Sequence, residues 1–259
     1  MMRDILEEAL GQGPDPVKTA QKAMKAPLPK RFYKIVEVSE VPEGYAVLLD
    51  GKPIKTPARS DLVLPFENTA KLIADEFEAQ ETEINSAKMP ATRLANTALD
   101  GVTSDPQVVF EDILKFAASD LLLYRADAPA ELVERQAQMW DPVLDWLRDD
   151  LGANFILAEG IVHVAQPKEA ISAFAVSLRS HDDPISLTCL HTITSLTGSA
   201  MLALALAREF LIDNQVWEVA HVDENWNIEH WGEDVEAAAR REARQQEFQA
   251  AVTMLRTLS

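Results

Sequence analysis

The sequence contains a single cysteine among its 259 residues. Cys189 therefore has no partner for a disulfide within the chain, and a zinc site built from several cysteines is excluded. Such sparing use of cysteine fits a reducing compartment. Because Cys189 lies in an apolar stretch, we expect it to be a small buried residue rather than a nucleophile.

Basic residues are also scarce, since 24 Lys and Arg stand against 42 Asp and Glu and give a formal net charge of −18. Binding to nucleic-acid phosphates draws on clustered Lys and Arg, so we expect no nucleic-acid partner. An acidic surface instead favours a basic partner and disfavours self-association, which predicts a monomer.

The sequence lacks an apolar run long enough to cross a membrane. Residues 188–212 come nearest, but only residues 200–207 are uniformly apolar, whereas a spanning helix needs about 20 apolar residues. We therefore predict a buried core helix and no membrane insertion. The first residues, MMRDILEEALGQG, carry acids where a secretory signal or a mitochondrial presequence is basic. A bacterial cytoplasmic protein is the resulting expectation.

Catalytic motifs are missing as well. Gly11 and Gly13 follow no strand, so they lack the context of a dinucleotide-binding loop, and the chain has neither a Walker loop nor a G-x-S-x-G nucleophile elbow. Glu218 and His221 have the i, i+3 spacing of carboxylate-bridged di-iron helices, but no second Glu-x-x-His pair exists. We expect no metal, no cofactor and no enzymatic activity. The alternative is a cofactor-free or metal-dependent small-molecule enzyme that uses carboxylates and His221.

The hydrophobic pattern changes its period along the chain. Residues 31–66 alternate with a period of two, and Asp50-Gly51 is a turn signal between apolar strands. Pro65 then introduces an amphipathic helix. Later segments have helical periodicity, including single helices at about 186–211 and 216–230. The sequence predicts an α+β fold in three parts: a mobile N-terminal arm (1–29), a small antiparallel β-rich part with one amphipathic helix (30–100), and a larger, mostly helical part (101–259).

Residues 216–241 crowd three tryptophans and several carboxylates into one segment of helical period. On a single helix Trp217, Glu224 and Trp231 would share one stripe with neighbouring apolar residues. Glu224 would then interrupt an apolar face, where it needs a hydrogen-bond donor, a position at the rim or a binding partner. We interpret this segment as a binding surface.

Four sequence blocks, taken together, resemble a known family. They are RFYKIVEV with YAVLLDGKPIKTP, EFEAQETEINSAKMPATRLANTALD, DLLLYRADAPAELVERQAQMWDPVLDW and VWEVAHVDENWNIEHWGEDVEA, and they run from about Arg31 to Ala237. In this order they resemble the assembly chaperones of the F-type ATP synthase catalytic head, which bind the free α subunit. The resemblance implies a non-enzymatic protein that shields the intersubunit surface of unassembled α subunit and releases it to the β subunit. Family counterparts act in the mitochondrial matrix.

The family's C-terminal acidic block is implicated in function and matches this chain near the end of the resemblance. For Trp231 and Gly232, the alternative to a binding role is a helix end packed into the core. For the whole protein, the alternative to a chaperone is a structural scaffold subunit. The basic run Lys18, Lys22, Lys25, Lys30 and Arg31 has no assigned role. The resemblance implies these client-binding residues: Asp223, Glu224, Trp226, Glu229, Trp231 and Asp234.

Overall fold

The structure is a computed structural model that describes residues 28–160 and 164–258. The predicted arm, with Lys18, Lys22 and Lys25, lies outside the described residues except for its last two positions. A small antiparallel β region precedes a mostly helical remainder, which confirms the predicted α+β fold. Every helix in the described ranges is too short or too polar to span a bilayer.

The β region is built on one central strand. β2 (Gly44–Leu49) pairs antiparallel with β1 (Val36–Val41), β3 (Lys52–Pro53) and β4 (Val63–Leu64). The predicted turn is present, since Asp50 and Gly51 have φ angles of 50° and 76°, as a two-residue hairpin requires. Gly44 is required for a second reason, because a Cβ there would lie 2.3 Å from the carbonyl oxygen of Leu64.

Helices and short connecting elements make up most of the remaining described residues. Short 3₁₀ turns lie at Ser86–Lys88, Leu121–Leu123 and Arg179–His181, a π-helical turn lies at Ala98–Val102, and β5 (Tyr124–Arg125) pairs parallel with β6 (Ala158–Glu159). The helices are α1 (Glu67–Glu78), α2 (Pro90–Thr97), α3 (Pro106–Ala117), α4 (Ala130–Leu151), α5 (Lys168–Leu178), α6 (Pro184–Thr197), α7 (Ala200–Ala207), α8 (Asp213–Ala220), α9 (Val222–Trp231) and α10 (Val235–Arg256). Of these, α1 follows Pro65, as predicted, and packs against β1 and β2.

The centre of the core is the α6–α7 pair. The uniformly apolar residues 200–207 form α7, in which Ala200 through Leu206 are all buried, so the predicted core helix is confirmed. Cys189 is buried in α6, and desolvation raises the pKa of its thiol. An inert core residue, as predicted, has these properties.

The prediction of a single helix at 186–211 is wrong, because the helix is interrupted between α6 and α7. Gly198 ends α6 with a φ of 72°, and the Ser199 side chain accepts a hydrogen bond from the Leu202 amide at 3.0 Å to cap α7. The buried Asp120 carboxylate accepts from the amides of Met201 at 3.0 Å and Leu122 at 3.1 Å. A distant carboxylate thus holds the start of α7.

The single helix predicted at 216–230 is also wrong. α8 ends at Ala220, and His221, with φ −112° and ψ 26°, separates it from α9. The stripe that would have placed Trp217, Glu224 and Trp231 on one helix face therefore does not form. Trp217 is buried in the core, whereas Trp231 lies on a different helix.

The chain forms two compact units. In the smaller one, Lys30 and Glu83 form an antiparallel bridge, and the Arg31 amide donates to the Thr82 carbonyl at 2.9 Å. The larger unit contains Tyr33–Ala79 and the described residues from Ser86 onward. The domain boundary predicted after residue 100 stays a prediction.

Candidate partner-binding site

α9 carries most of the predicted site residues and packs on α4 through polar groups. The carboxylate of Glu229 accepts from both terminal nitrogens of Arg135, at 2.8 and 2.9 Å. The same guanidinium lies 5.7 Å from the centre of the Trp226 ring, which stacks on His230 at 4.1 Å. Hydrogen bonding to Arg135 lowers the pKa of the Glu229 carboxyl. Glu229 therefore already has a cationic partner within the chain.

Asp223 is engaged in a second link between α9 and α4. The amide nitrogen of the buried Gln136 side chain donates to Asp223 at 2.7 Å, and its oxygen accepts from the Ala126 backbone at 2.8 Å. Gln136 thus uses both ends of its amide to hold two other segments. Asp223 and Glu229 both position α9 in this structure.

Glu224 differs from these two carboxylates. Its oxygen lies 3.7 Å from Nε2 of His221, which is beyond hydrogen-bond distance. His221 is buried, with Nδ1 2.7 Å from the Trp217 carbonyl oxygen. Desolvation lowers the pKa of His221, so the ring is neutral near pH 7. Glu224 therefore faces an uncharged imidazole rather than a cation.

Glu218 and His221, the pair with the spacing of di-iron helices, lie three positions apart at the end of α8. The exposed Glu218 lines a cavity of about 250 Å³ beside Arg135 and Glu229, and His221 is not part of its wall. In the described ranges, no group of three or more His, Cys, Asp or Glu side chains could hold a metal ion.

The turn between α9 and α10 holds the remaining predicted residues. α9 ends at Trp231 and is followed by Gly232, whose φ is 84°, and Asp234 caps α10 by accepting from the Ala237 amide at 2.9 Å. The side chain of Trp231 is 85% exposed. The alternative that Trp231 packs into the core is therefore wrong, although the helix does end at this position.

An open groove of about 400 Å³ lies at this turn. It brings together three of the six predicted residues, namely Glu224, Trp231 and Asp234. Asp223, Trp226 and Glu229 instead lie at or near the contact with α4. The groove is also lined by Asn227, Ile228, Gly232, Glu233 and Ala237.

Sequence reasoning missed three residues that matter here. Arg135 and Gln136 are separated from their α9 partners by 94 and 87 positions, so no local pattern connects them. Val235 is 83% exposed at the start of α10. Its position directly after an Asp cap was readable as a helix start, but its exposure was not.

Comparison with known proteins gives evidence that is independent of the site geometry. The family model of the ATP12 chaperone protein matches residues 30–148. A candidate chaperone from Agrobacterium tumefaciens is 53% identical, with a TM-score of 0.88, over 100% of this chain and 97% of that one. Atp12 from Paracoccus denitrificans is 34% identical, with a TM-score of 0.84, over 89% of this chain and 99% of that one.

These matches identify the class of the protein as a chaperone. The chain belongs to the ATP12 chaperone family, which confirms the resemblance found in the sequence. The family-model match ends within α4, so the predicted site residues lie beyond it. They lie within the part of the chain that the Agrobacterium structure covers.

Proposed function

We propose that this protein is an ATP synthase assembly chaperone that binds the unassembled α subunit, shields its intersubunit surface from aggregation and releases it to the β subunit. The observation that carries this proposal is membership of the ATP12 chaperone family, with a fold match along the entire chain. A non-enzymatic role is supported by membership of a chaperone family.

The physical need for such a protein is clear. Interfaces between obligate subunits are large and apolar, so a free subunit exposes a patch that associates non-productively. A chaperone has to cover that patch and still give way to the true partner. Charged groups around an apolar contact accelerate and orient association without fixing the complex permanently.

The surface at the end of α9 has this mixed character. The groove places apolar side chains next to Glu224, Glu233 and Asp234. We propose it as the client site, and we propose a monomer in the bacterial cytoplasm. The acidic composition supports the monomer, and the bacterial origin of the matched structures supports the location.

Light scattering of isolated α subunit tests the proposal directly. The full chain, added at an equimolar ratio without ATP, should suppress aggregation, and an unrelated protein of similar size and net charge should not. Suppression that required ATP turnover would contradict the proposal. Recovery of this chain as a stoichiometric subunit of intact synthase would favour the scaffold alternative instead.

A further inference from the structure

Residues 223–247, here called the outer segment, contain no buried side chain although they are almost entirely helical. α10 buries side chains only from Phe248 onward. Helices of this kind are usually stabilised by burying one apolar face. The outer segment must therefore keep its position by other means.

Polar contacts along its length supply those means. Beyond the links to Arg135 and Gln136, Arg241 donates to Asn225 and so ties α10 to α9. Arg93 pairs with Glu247 at the far end. Contacts at both ends and between the helices hold the segment in one arrangement, so its exposed apolar groups are presented on an ordered surface.

Two large apolar side chains lie at the turn of the outer segment. Trp231 and Val235, here called the tip, are 85% and 83% exposed. The groove beside them includes Ile228 and Ala237. A tryptophan adds about 150–250 Å² of contact area when it is buried, and the residues that dominate protein interfaces are enriched in tryptophan.

The charge of the residues around the tip indicates which kind of partner surface binds there. Residues 223–236 contain six carboxylates and no Lys or Arg. Glu229 and Glu236 have arginine partners within the chain, but Glu224 and Glu233 line the groove itself. A complementary surface therefore has apolar side chains flanked by Lys or Arg.

We propose that the tip and its groove form the contact with the client: apolar side chains of the unassembled α subunit, flanked by Lys or Arg, pack against Trp231 and Val235. This inference rests on the proposed function and adds which residues make the contact. Asp223 and Glu229 then act as positioning residues that hold α9 on α4. The proposed client contact therefore lies at the turn after α9 rather than at the carboxylates of α9.

Binding of purified α subunit to the immobilised full chain tests the assignment. Trp231→Ala combined with Val235→Ser should raise the dissociation constant for α subunit roughly thirtyfold or more, as expected for a central interface residue. The matched control is Val176→Ser in α5, because Val176 is 76% exposed on a helix outside the outer segment. It should change the dissociation constant by less than about twofold. Thermal melting should be unchanged in both, since no buried contact is lost.

A charge variant probes the basic flank of the client. Glu233→Lys should slow association at low salt, and the difference from the unmodified chain should shrink at high salt, as expected for charge steering. An association rate that Glu233→Lys leaves unchanged at low salt would contradict the proposal that Lys or Arg of the client flank the apolar contact.

The outcomes separate this inference from the proposed function. If the unmodified chain binds α subunit and the tip variant binds equally well, the inference is wrong and the function stands. Equal weakening by Val176→Ser would also overturn it, because the loss would not be specific to the tip. If the unmodified chain does not bind α subunit at all, both proposals fail together.

Discussion

The α6–α7 pair and the outer segment are both helical, yet they keep their shapes by opposite means. Nine side chains of α6 and seven of α7 are buried, whereas residues 223–247 bury none. Apolar burial supplies most of the free energy of folding, so the pair carries stability. The outer segment relies on a few polar contacts and leaves its apolar groups for a partner.

This difference predicts that stability and binding respond to different substitutions. In the α6–α7 pair, the removal of a side chain leaves a cavity. At the tip, the same kind of change removes little packing, because Trp231 and Val235 are 85% and 83% exposed. Exposed elements held by few contacts also open locally at lower free energy than a core.

The largest expected effect is in the core. Leu202→Ala in α7 removes a fully buried side chain, and we expect the free energy of unfolding to fall by about 2–5 kcal/mol. Val235→Ala at the tip should change it by less than about 0.5 kcal/mol. Urea unfolding of the two variants measures both values. Comparable losses would mean that the outer segment is packed as tightly as the core.

The second prediction concerns the carboxylate that holds α7. Burial raises the pKa of Asp120 from 3.8 to about 6, while hydrogen bonds from Ser199, Met201 and Leu122 oppose the rise. Between these two pKa values the native state keeps a proton that the unfolded state loses. This stabilising contribution therefore decreases as pH rises from about 4 to about 6.

The cost of Asp120→Asn should therefore be largest near pH 4 and smaller at pH 7, by up to about 3 kcal/mol. Asp50→Asn is the control, because hydrogen bonds from the Ile35 and Lys34 amides lower the pKa of the exposed Asp50 below 3.8. Its cost should not fall between pH 4 and pH 7, since a lowered pKa favours the native state once the carboxyl is ionised. Denaturant titrations at several pH values measure both slopes, and equal slopes would contradict the prediction.

The third prediction concerns the contact between α9 and α4, where the expected effect on global stability is smaller than for Leu202→Ala or Asp120→Asn. Arg135→Met removes the ion pair with Glu229 and the contact with Trp226. Because the pair is exposed, the free energy of unfolding should change by about 1 kcal/mol or less. Backbone amides of α9 should nevertheless exchange faster, since α9 buries only Val222 and is held by few other contacts.

Arg148→Met is the matched control for that experiment. Arg148 also lies on α4, but its partners Asp145 and Asp149 belong to the same helix. Hydrogen exchange in α9 should be unaffected by this change. If Arg148→Met and Arg135→Met accelerate α9 equally, the polar contacts are not what hold the outer segment.

Local features of the fold were predictable from the sequence. The Asp50-Gly51 turn and the apolar residues of α7 depend on neighbouring residues, and both were predicted. The break before α7 was missed although Gly198 and Ser199 mark it locally as a helix stop and an N-cap, and only the further hydrogen bond from Met201 to Asp120, 81 positions earlier, is non-local. The break at His221 likewise divides a pattern that looks continuous on a helical wheel.

The site was predictable only by residue type. The sequence marked an acidic, tryptophan-bearing segment, but it could not show that Arg135 neutralises Glu229 or that Gln136 binds Asp223. Charge reversal at Glu229 would place a lysine against Arg135, so a loss of binding would have a cause inside the chain. Glu224, which faces a neutral His221, is the better position for a charge test.

Hydrogen exchange of the full chain, free and in complex with purified α subunit, shows which surface of the chain the client covers. We expect complex formation to protect the amides around the turn between α9 and α10, while the α6–α7 pair, already protected, changes little. Protection confined to other surfaces, with exchange at residues 223–247 unchanged, would contradict the assignment of the outer segment as the client site.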